Sequence, residues 1–161
     1  MDIRLAATND EEALKKIYAK ARQYMVLDGN PWQWGNNHPP FSLIQKDIQK
    51  GCLYVLLAKG EVHACFAIQS FDPCYEDKNT KWTYKEPYLV IHSLASDGEI
   101  KHVFDTVIDF VLTKTNYIRI DTYKDNKTML FHLQKRGFRP AGFCFQPDKT
   151  IRLCFELKET K

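Results

Sequence analysis

The chain has no Cys-x-x-Cys spacing, no long apolar run, no strong excess of one charge and no low-complexity tract. Its five cysteines (Cys52, Cys65, Cys74, Cys144 and Cys154) are odd in number, which argues against a zinc site or a closed disulfide framework. Cys65, Cys144 and Cys154 sit inside apolar runs, where a thiol behaves as a small hydrophobe. Free thiols suit a reducing compartment, and the opening Met-Asp-Ile-Arg-Leu lacks a signal-peptide pattern, so a cytoplasmic location is expected. No apolar run approaches the ~18 residues of a membrane span. The net charge of +3 and a pI near 8.5 fall short of the ~9 typical of nucleic-acid-binding domains. The basic residues are interleaved with acids, as at Lys46-Asp47 and Lys124-Asp125, and no basic-aromatic motif appears, so neither nucleic acid nor membrane is an expected partner. The histidines (His38, His63, His92, His102 and His132) lack metal-ligand spacing, and no metal is expected.

What is present is an ordinary globular composition, 44% apolar and 27% charged over 161 residues, which fits a single domain spanning 1–161. Asp2–Ala7 alternates as a strand. Thr8–Glu12 then supplies cap-type and acidic residues before Leu14, Ile17, Tyr18, Ala21 and Met25 recur at helical spacing to about Leu27. Trp32–Pro40 reads as a loop, and Ser42 as the cap of a short helix ending at Gly51. Cys52–Ala58 and Glu61–Phe71 flank Lys59-Gly60 as a hairpin. Asp72–Pro87 is polar and irregular, a flexible excursion by composition. Tyr88–Ala95 is a buried strand, and Ser96-Asp97-Gly98-Glu99 opens a helix with Ile100, Val103, Phe104, Val107, Ile108, Val111 and Leu112 inward. Tyr117–Asp121 is a strand, Asp125-Asn126 opens a helix closed by Gly137, and strands follow at Phe143–Gln146 and Ile151–Leu157. The order predicts an α/β fold (α+β by some schemes), a mixed sheet with helices on both faces and a parallel βαβ unit from Tyr88 to Asp121.

Val90-Ile91-His92-Ser93-Leu94-Ala95 leading to the helix from Gly98 looks like the cofactor-binding strand, loop and helix of the GNAT (Gcn5-related N-acetyltransferase) superfamily. Asp121–Lys127 followed by Leu133-Gln134-Lys135-Arg136-Gly137-Phe138 resembles a second block, in which an Asn opens the helix and Gly-Phe closes it. Gly29–Gly35 and Glu86-Pro87-Tyr88 are similar to a bacterial subgroup of acetyltransferases. The resemblance implies a mixed, mostly antiparallel sheet of six to seven strands. It also implies acetyl-CoA as co-substrate and transfer of its acetyl group to a primary amine of a small-molecule acceptor. Unpaired edge strands leave a homodimer open.

The resemblance assigns residues. Acyl-CoA carries a pyrophosphate, and a helix N-terminus offers free amides and a partial positive charge. The cofactor would therefore meet Ser96, Gly98, Glu99, Ile100, Lys101, His102, Val103 and Phe104, with backbone amides at Leu94 and Ala95 polarising the thioester carbonyl and Asn126 bonding the cofactor arm. The family's pattern of Arg or Gln, then Gly, then Gly or Ala falls here on Glu99, His102 and Phe104, and its proton-donating tyrosine on Leu133. These departures leave open a GNAT-fold module that binds acyl-CoA or another small ligand with weakened catalysis; Val103 and Phe104 also read as plain core residues and Asn126 as a plain cap. His92 is expected as the general base, on the same face as Leu94 by strand alternation, the alternative being a satisfied core histidine. Asn30, Trp32, Trp34 and Tyr88 are expected to line the acceptor site, or in the case of the tryptophans to pin their loop.

Overall fold

The computed structural model describes residues 1–160. A seven-stranded sheet runs through it in the order β1-β2-β3-β4-β5-β7-β6, from β1 (Asp2–Leu5), β2 (Leu53–Ala58), β3 (Glu61–Gln69), β4 (Leu89–Ser96), β5 (Tyr117–Thr122), β6 (Arg139–Phe145) and β7 (Ile151–Lys158). Only β4 and β5 are parallel; every other neighbour is antiparallel. The helices are α1 (Glu11–Leu27), α2 (Phe41–Gln49), α3 (Val103–Leu112) and α4 (Lys127–Arg136). The expected α/β class, element order and sheet are all present.

Alternation along β3 sends Ala64 and Phe66 to one face and Cys65 and Ala67 to the other, and each face is covered by a helix pair. On one side Leu14, Ile17, Tyr18 and Ala21 form the apolar stripe of α1 and, with Ile44 of α2, bury against Leu53 and Val55. On the other, Val103, Val107, Ile108 and Val111 of α3 and Leu133 of α4 close over Leu56, Ile91, Ile118 and Ile120. At this depth a Leu or Ile side chain contributes ~1.5–3 kcal/mol over its exposed state. Asp10, in a 3-10 turn, accepts the Ala7 N–H at 2.8 Å and is clamped by both Arg4 nitrogens at 2.7 and 3.0 Å, which ties β1 to the start of α1. Among the described residues no helix is long and apolar enough to cross a membrane.

Beyond shifted element ends, the largest being β6, which begins at Arg139 and not at Phe143, four details depart from the sequence reading. Helix α2 begins at Phe41 after Pro40, so Ser42 lies inside it. Helix α3 begins at Val103, not near Gly98, because both Gly98 (φ +79°) and His102 (φ +64°) are left-handed and residues 97–101 form a loop. The left-handed φ favours glycine at Gly98, and a Cβ there would lie 2.9 Å from the Tyr24 hydroxyl oxygen and push that side chain aside. Third, β4 is bulged: His92 pairs with Ala67 and Ala95 with Cys65, and Ser93 takes φ +55°. The extra residue reverses the alternation, so Leu94 packs with the α3/α4 cluster while Ala95 joins the α1/α2 cluster.

The fourth is the excursion 72–87, which is not a loose loop but a strap fastened to the sheet. Tyr75 is buried, and its carbonyl accepts the Trp82 indole N–H at 2.9 Å. The Glu156 carboxylate accepts the Thr83 N–H at 3.1 Å and the Thr83 hydroxyl at 2.7 Å. Arg119, paired across the ladder with Glu156, lies between the rings of Trp82 and Tyr88 at 4.2 and 4.0 Å and donates to the Tyr84 carbonyl at 2.9 Å. Lys81 N–H reaches the Ala141 carbonyl at 2.8 Å. A Cβ on Gly142 (φ +76°) would lie 2.2 Å from the Asn79 carbonyl oxygen, so the strap crosses β6 where only glycine admits it.

Candidate functional site

Strands β4 and β5 are paired only at Leu89/Ile118 and Val90/Arg119. Beyond Val90 they separate, leaving the β4 backbone from Ile91 onward without a β5 partner. Two cavities meet at this gap. The larger, about 610 Å³, lies on the side of the α1–α2 loop and is bordered by His92, Asp47, Asp72, Asp121, Trp34 and Arg152. The smaller, about 520 Å³, lies against the start of α3 and is bordered by Leu94, Ala95, Ser96, Gly98, Ile100, His102, Val103 and Phe104. Met25, Leu94, Asn126 and Met129 border both.

His92 borders the larger cavity, just past the point where β4 parts from β5. Its Nε2 is 2.7 Å from Asp72 Oδ2, and Asp72 is held by the strap, where its other oxygen accepts the Cys74 N–H at 2.9 Å. Asp121 stands beside the pair, accepting the Tyr75 hydroxyl at 2.6 Å and lying 3.8 Å from Arg152 Nε. Burial works against an imidazolium at His92, but the hydrogen bond to Asp72 and the charges of Asp121, Asp72 and Asp47 outweigh it and raise its pKa above the ordinary histidine value. Burial likewise opposes the Asp72 carboxylate, yet its bonds to His92 and Cys74 hold it below the usual carboxylate range. Burial, with the Asp121 charge, pushes the Tyr75 hydroxyl well above its ordinary pKa and keeps it a donor. His38, also on the larger cavity, is pushed down by burial and by Arg152. The ligand atoms of Asp72, His92 and Asp121 lie within 4.8 Å of one another, close enough for a metal ion to bridge, although shared protons already connect His92 to Asp72 and Tyr75 to Asp121.

The expected residues divide. His92, Trp32 and Trp34 border the larger cavity, Trp34 packed edge-on to Tyr18 at 5.8 Å and Trp32 77% exposed at the mouth. Asn30 is buried and borders the smaller cavity, not the acceptor side expected for it. Tyr88 borders neither; it is stacked under Arg119 in the strap, because the strand begins one residue later and Tyr88 belongs to the fastening. Glu99 and Lys101 also stand off both cavities, since the 97–101 segment is a loop, and Glu99 turns outward to Lys20 at 2.8 Å. Phe104 borders the smaller cavity with its ring packed among core residues, 6.2 Å from Phe138 and stacked on His132 at 5.4 Å. Both polar ends of Asn126 are engaged: Oδ1 caps α4 by accepting the Met129 N–H at 3.1 Å, and Nδ2 donates to Gln33 Oε1 at 3.0 Å. The bulge separates His92 from Leu94, so strand alternation does not carry the base to the Leu94 face.

Sequence reasoning missed Asp72, Asp121 and Asp47. Asp72 stood before a proline in an apparent loop, and Asp121 shares the Tyr117/Arg119 face of β5, a polar alternation that marks a strand bordering a site. Asp47 falls three residues after Ile44 on the inward stripe of α2, where a carboxylate is out of place.

No family model matches this chain, and no curated protein matches it. Solved structures do. A GNAT-family acetyltransferase from Streptococcus agalactiae superposes with a TM-score of 0.88 at 23% identity, covering 99% of this chain and 96% of that one. A GNAT-family acetyltransferase from Listeria monocytogenes gives 0.69 at 15% identity, covering 98% and 94%. One from Bacillus cereus gives 0.65 at 13% identity, covering 99% and 98%. The likeness runs over the whole sheet and both helix pairs: this chain has the GNAT acetyltransferase fold.

Proposed function

We propose that the chain is an N-acetyltransferase that moves the acetyl group of acetyl-CoA to a primary amine of a small-molecule acceptor by direct attack. The observation that carries this reading is the His92–Asp72 pair, on the wall of the larger cavity where the sheet opens, with the smaller cavity adjoining through Leu94 and Asn126. The larger cavity, with its carboxylates, suits an ammonium-bearing acceptor, and the smaller suits the cofactor.

The residues of the smaller cavity fit acetyl-CoA in two respects. The first-turn amides at Val103, Phe104 and Asp105 lack intrahelical partners, as at any helix start, and border the cavity as an anion seat. The Glu99 carboxylate, which would repel a pyrophosphate, is turned to Lys20. When bound, acetyl-CoA supplies the acetyl group as an activated thioester. The β4 backbone at Leu94, without a β5 partner, is the stretch to polarise the carbonyl oxygen as charge gathers there, the Ala95 amide being turned to β3. His92 Nδ1, free of partners among the described residues, takes the proton that the attacking amine must lose, and Asp72 stabilises the imidazolium that results. A thiolate leaves readily enough to need no side-chain donor, which accords with a buried Leu133 at the family's tyrosine position.

One observation favours a second reading, a module that holds acyl-CoA without turning it over: His102 and Phe104 are bulky where small residues would let phosphate approach. A calorimetric titration with acetyl-CoA, followed by a thiol-release assay over a panel of amines, separates the two. Micromolar binding with thiol release supports the enzyme, and binding without release favours the module. Absence of binding at millimolar concentration overturns both.

A further inference from the structure

Four carboxylates border the larger cavity, and three of them are engaged. Asp72 is bonded to His92 at 2.7 Å. Asp121 accepts the Tyr75 hydroxyl at 2.6 Å and faces Arg152. Asp148 accepts the Thr150 N–H and hydroxyl at 3.0 and 2.6 Å. Asp47 is different. It is 5% exposed, borders the cavity from α2 and makes no direct ion pair among the described residues; the Cys52 thiol, a weak donor, lies against it, and Lys50, His92 and Lys46 act on it only through space. The cationic groups on the same cavity are committed elsewhere: Arg152 faces Asp121 and the Gln33 carbonyl, and His92 faces Asp72. A buried carboxylate with no direct ion pair is costly, and a cation entering the cavity would supply one.

That cation is not the reacting nitrogen. An amine attacks only after losing its proton, and a carboxylate bound to that nitrogen would hold the proton in place. His92 performs the deprotonation, whereas Asp47 rewards a charge that persists. We infer that Asp47 binds a second, permanently protonated nitrogen of the acceptor, so that the substrate class is a diamine or other amine bearing an additional positive charge. This inference rests on the acetyltransferase reading for its reaction, but the binding it asserts does not depend on turnover.

The test uses 1,4-diaminobutane and its near-isostere pentylamine, in which a methyl replaces one ammonium, against wild type and Asp47→Asn. Without acetyl-CoA, the diamine should raise the melting temperature of wild type and not of the variant, and pentylamine should raise neither. With acetyl-CoA, the ratio of kcat/KM for the diamine over pentylamine should fall by about tenfold or more in the variant, the order set by losing one charge-assisted contact. Equal stabilisation by both amines, or a diamine preference that survives Asp47→Asn, overturns the inference and leaves the transferase reading intact. Failure of acetyl-CoA to bind sinks the transferase reading and leaves the melting experiment to decide on Asp47 alone.

Discussion

Replacing Asp72 by asparagine isolates the partner of His92 from the rest of the strap. The carboxamide keeps the volume and an oxygen for the Cys74 N–H, now accepted at 2.9 Å. At the other oxygen, 2.7 Å from His92 Nε2, the substitution places an NH2 group. Two donors then face each other unless His92 surrenders its Nε2 proton. The imidazole is driven to the opposite tautomer, with a proton on the Nδ1 that has to accept one. A hydrogen bond between charged partners contributes ~1.5–3 kcal/mol; kcat/KM for thiol release should therefore fall by roughly 10–100-fold. The pH profile should move as well. Burial disfavours the His92 imidazolium, and removing Asp72 deletes the bond that most offsets it, so the acidic limb of kcat/KM shifts to lower pH. Stability follows the same linkage. The raised His92 pKa contributes fully below ~6.5 and is lost as pH rises through its folded value; the lowered Asp72 pKa contributes above ~3.9 and is lost as pH falls through its own. Wild type and Asp72→Asn should thus differ most in melting temperature between about pH 4 and 6.5. An acidic limb that stays in place, or a loss of rate smaller than about threefold, refutes the base assignment.

Asp47→Asn should stabilise the ligand-free protein at neutral pH. Burial raises the Asp47 pKa, so its contribution is present below the unfolded value of ~3.9 and lost as pH rises through the folded one, and the variant's advantage in melting temperature should vanish in acid. Gly142→Ala forces a Cβ to 2.2 Å from the Asn79 carbonyl at a left-handed φ, and should cost about 2–4 kcal/mol in denaturant unfolding while lowering kcat through the displaced strap. Gly98→Ala collides with the Tyr24 hydroxyl at 2.9 Å; it should weaken acetyl-CoA binding in calorimetry more than it changes amine binding, because only the smaller cavity contains that loop.

The order of elements was legible because period and punctuation agreed: Leu14, Ile17, Tyr18 and Ala21 repeat at helical spacing, and Lys59-Gly60 does turn β2 into β3. The details that failed are those in which one residue changes the geometry. Ser96-Asp97-Gly98-Glu99 has the composition of a helix cap, yet Asp97 Oδ1 accepts the Glu99 N–H at 2.9 Å in a local turn and the helix waits until Val103. Nothing local announces the bulge at Ser93, which shows only in the pairing of β4 with β3. His92 was visible as a candidate from its place on the strand, but its carboxylate partner comes from 20 residues earlier, in a segment whose polarity disguised a fastening made by residues far along the chain. Tyr88 misled for the same reason, an aromatic before the strand being equally fit for a binding wall and for a stack under Arg119.

The fastening also sets a schedule for folding. The strap bearing Asp72 is held by contacts that close over long stretches of chain: 46 residues from Tyr75 to Asp121, 35 from Tyr84 to Arg119 and 73 from Thr83 to Glu156. Glu156 lies on β7, which follows every other described strand in chain order. The first helix pair and β1–β3 can assemble while the strap is still unanchored, and a chain that has not yet seated β7 carries His92 without a fixed partner. The His92–Asp72 pair therefore takes its fixed geometry only once the β6–β7 hairpin holds the strap, which makes a local pair depend on a distant one.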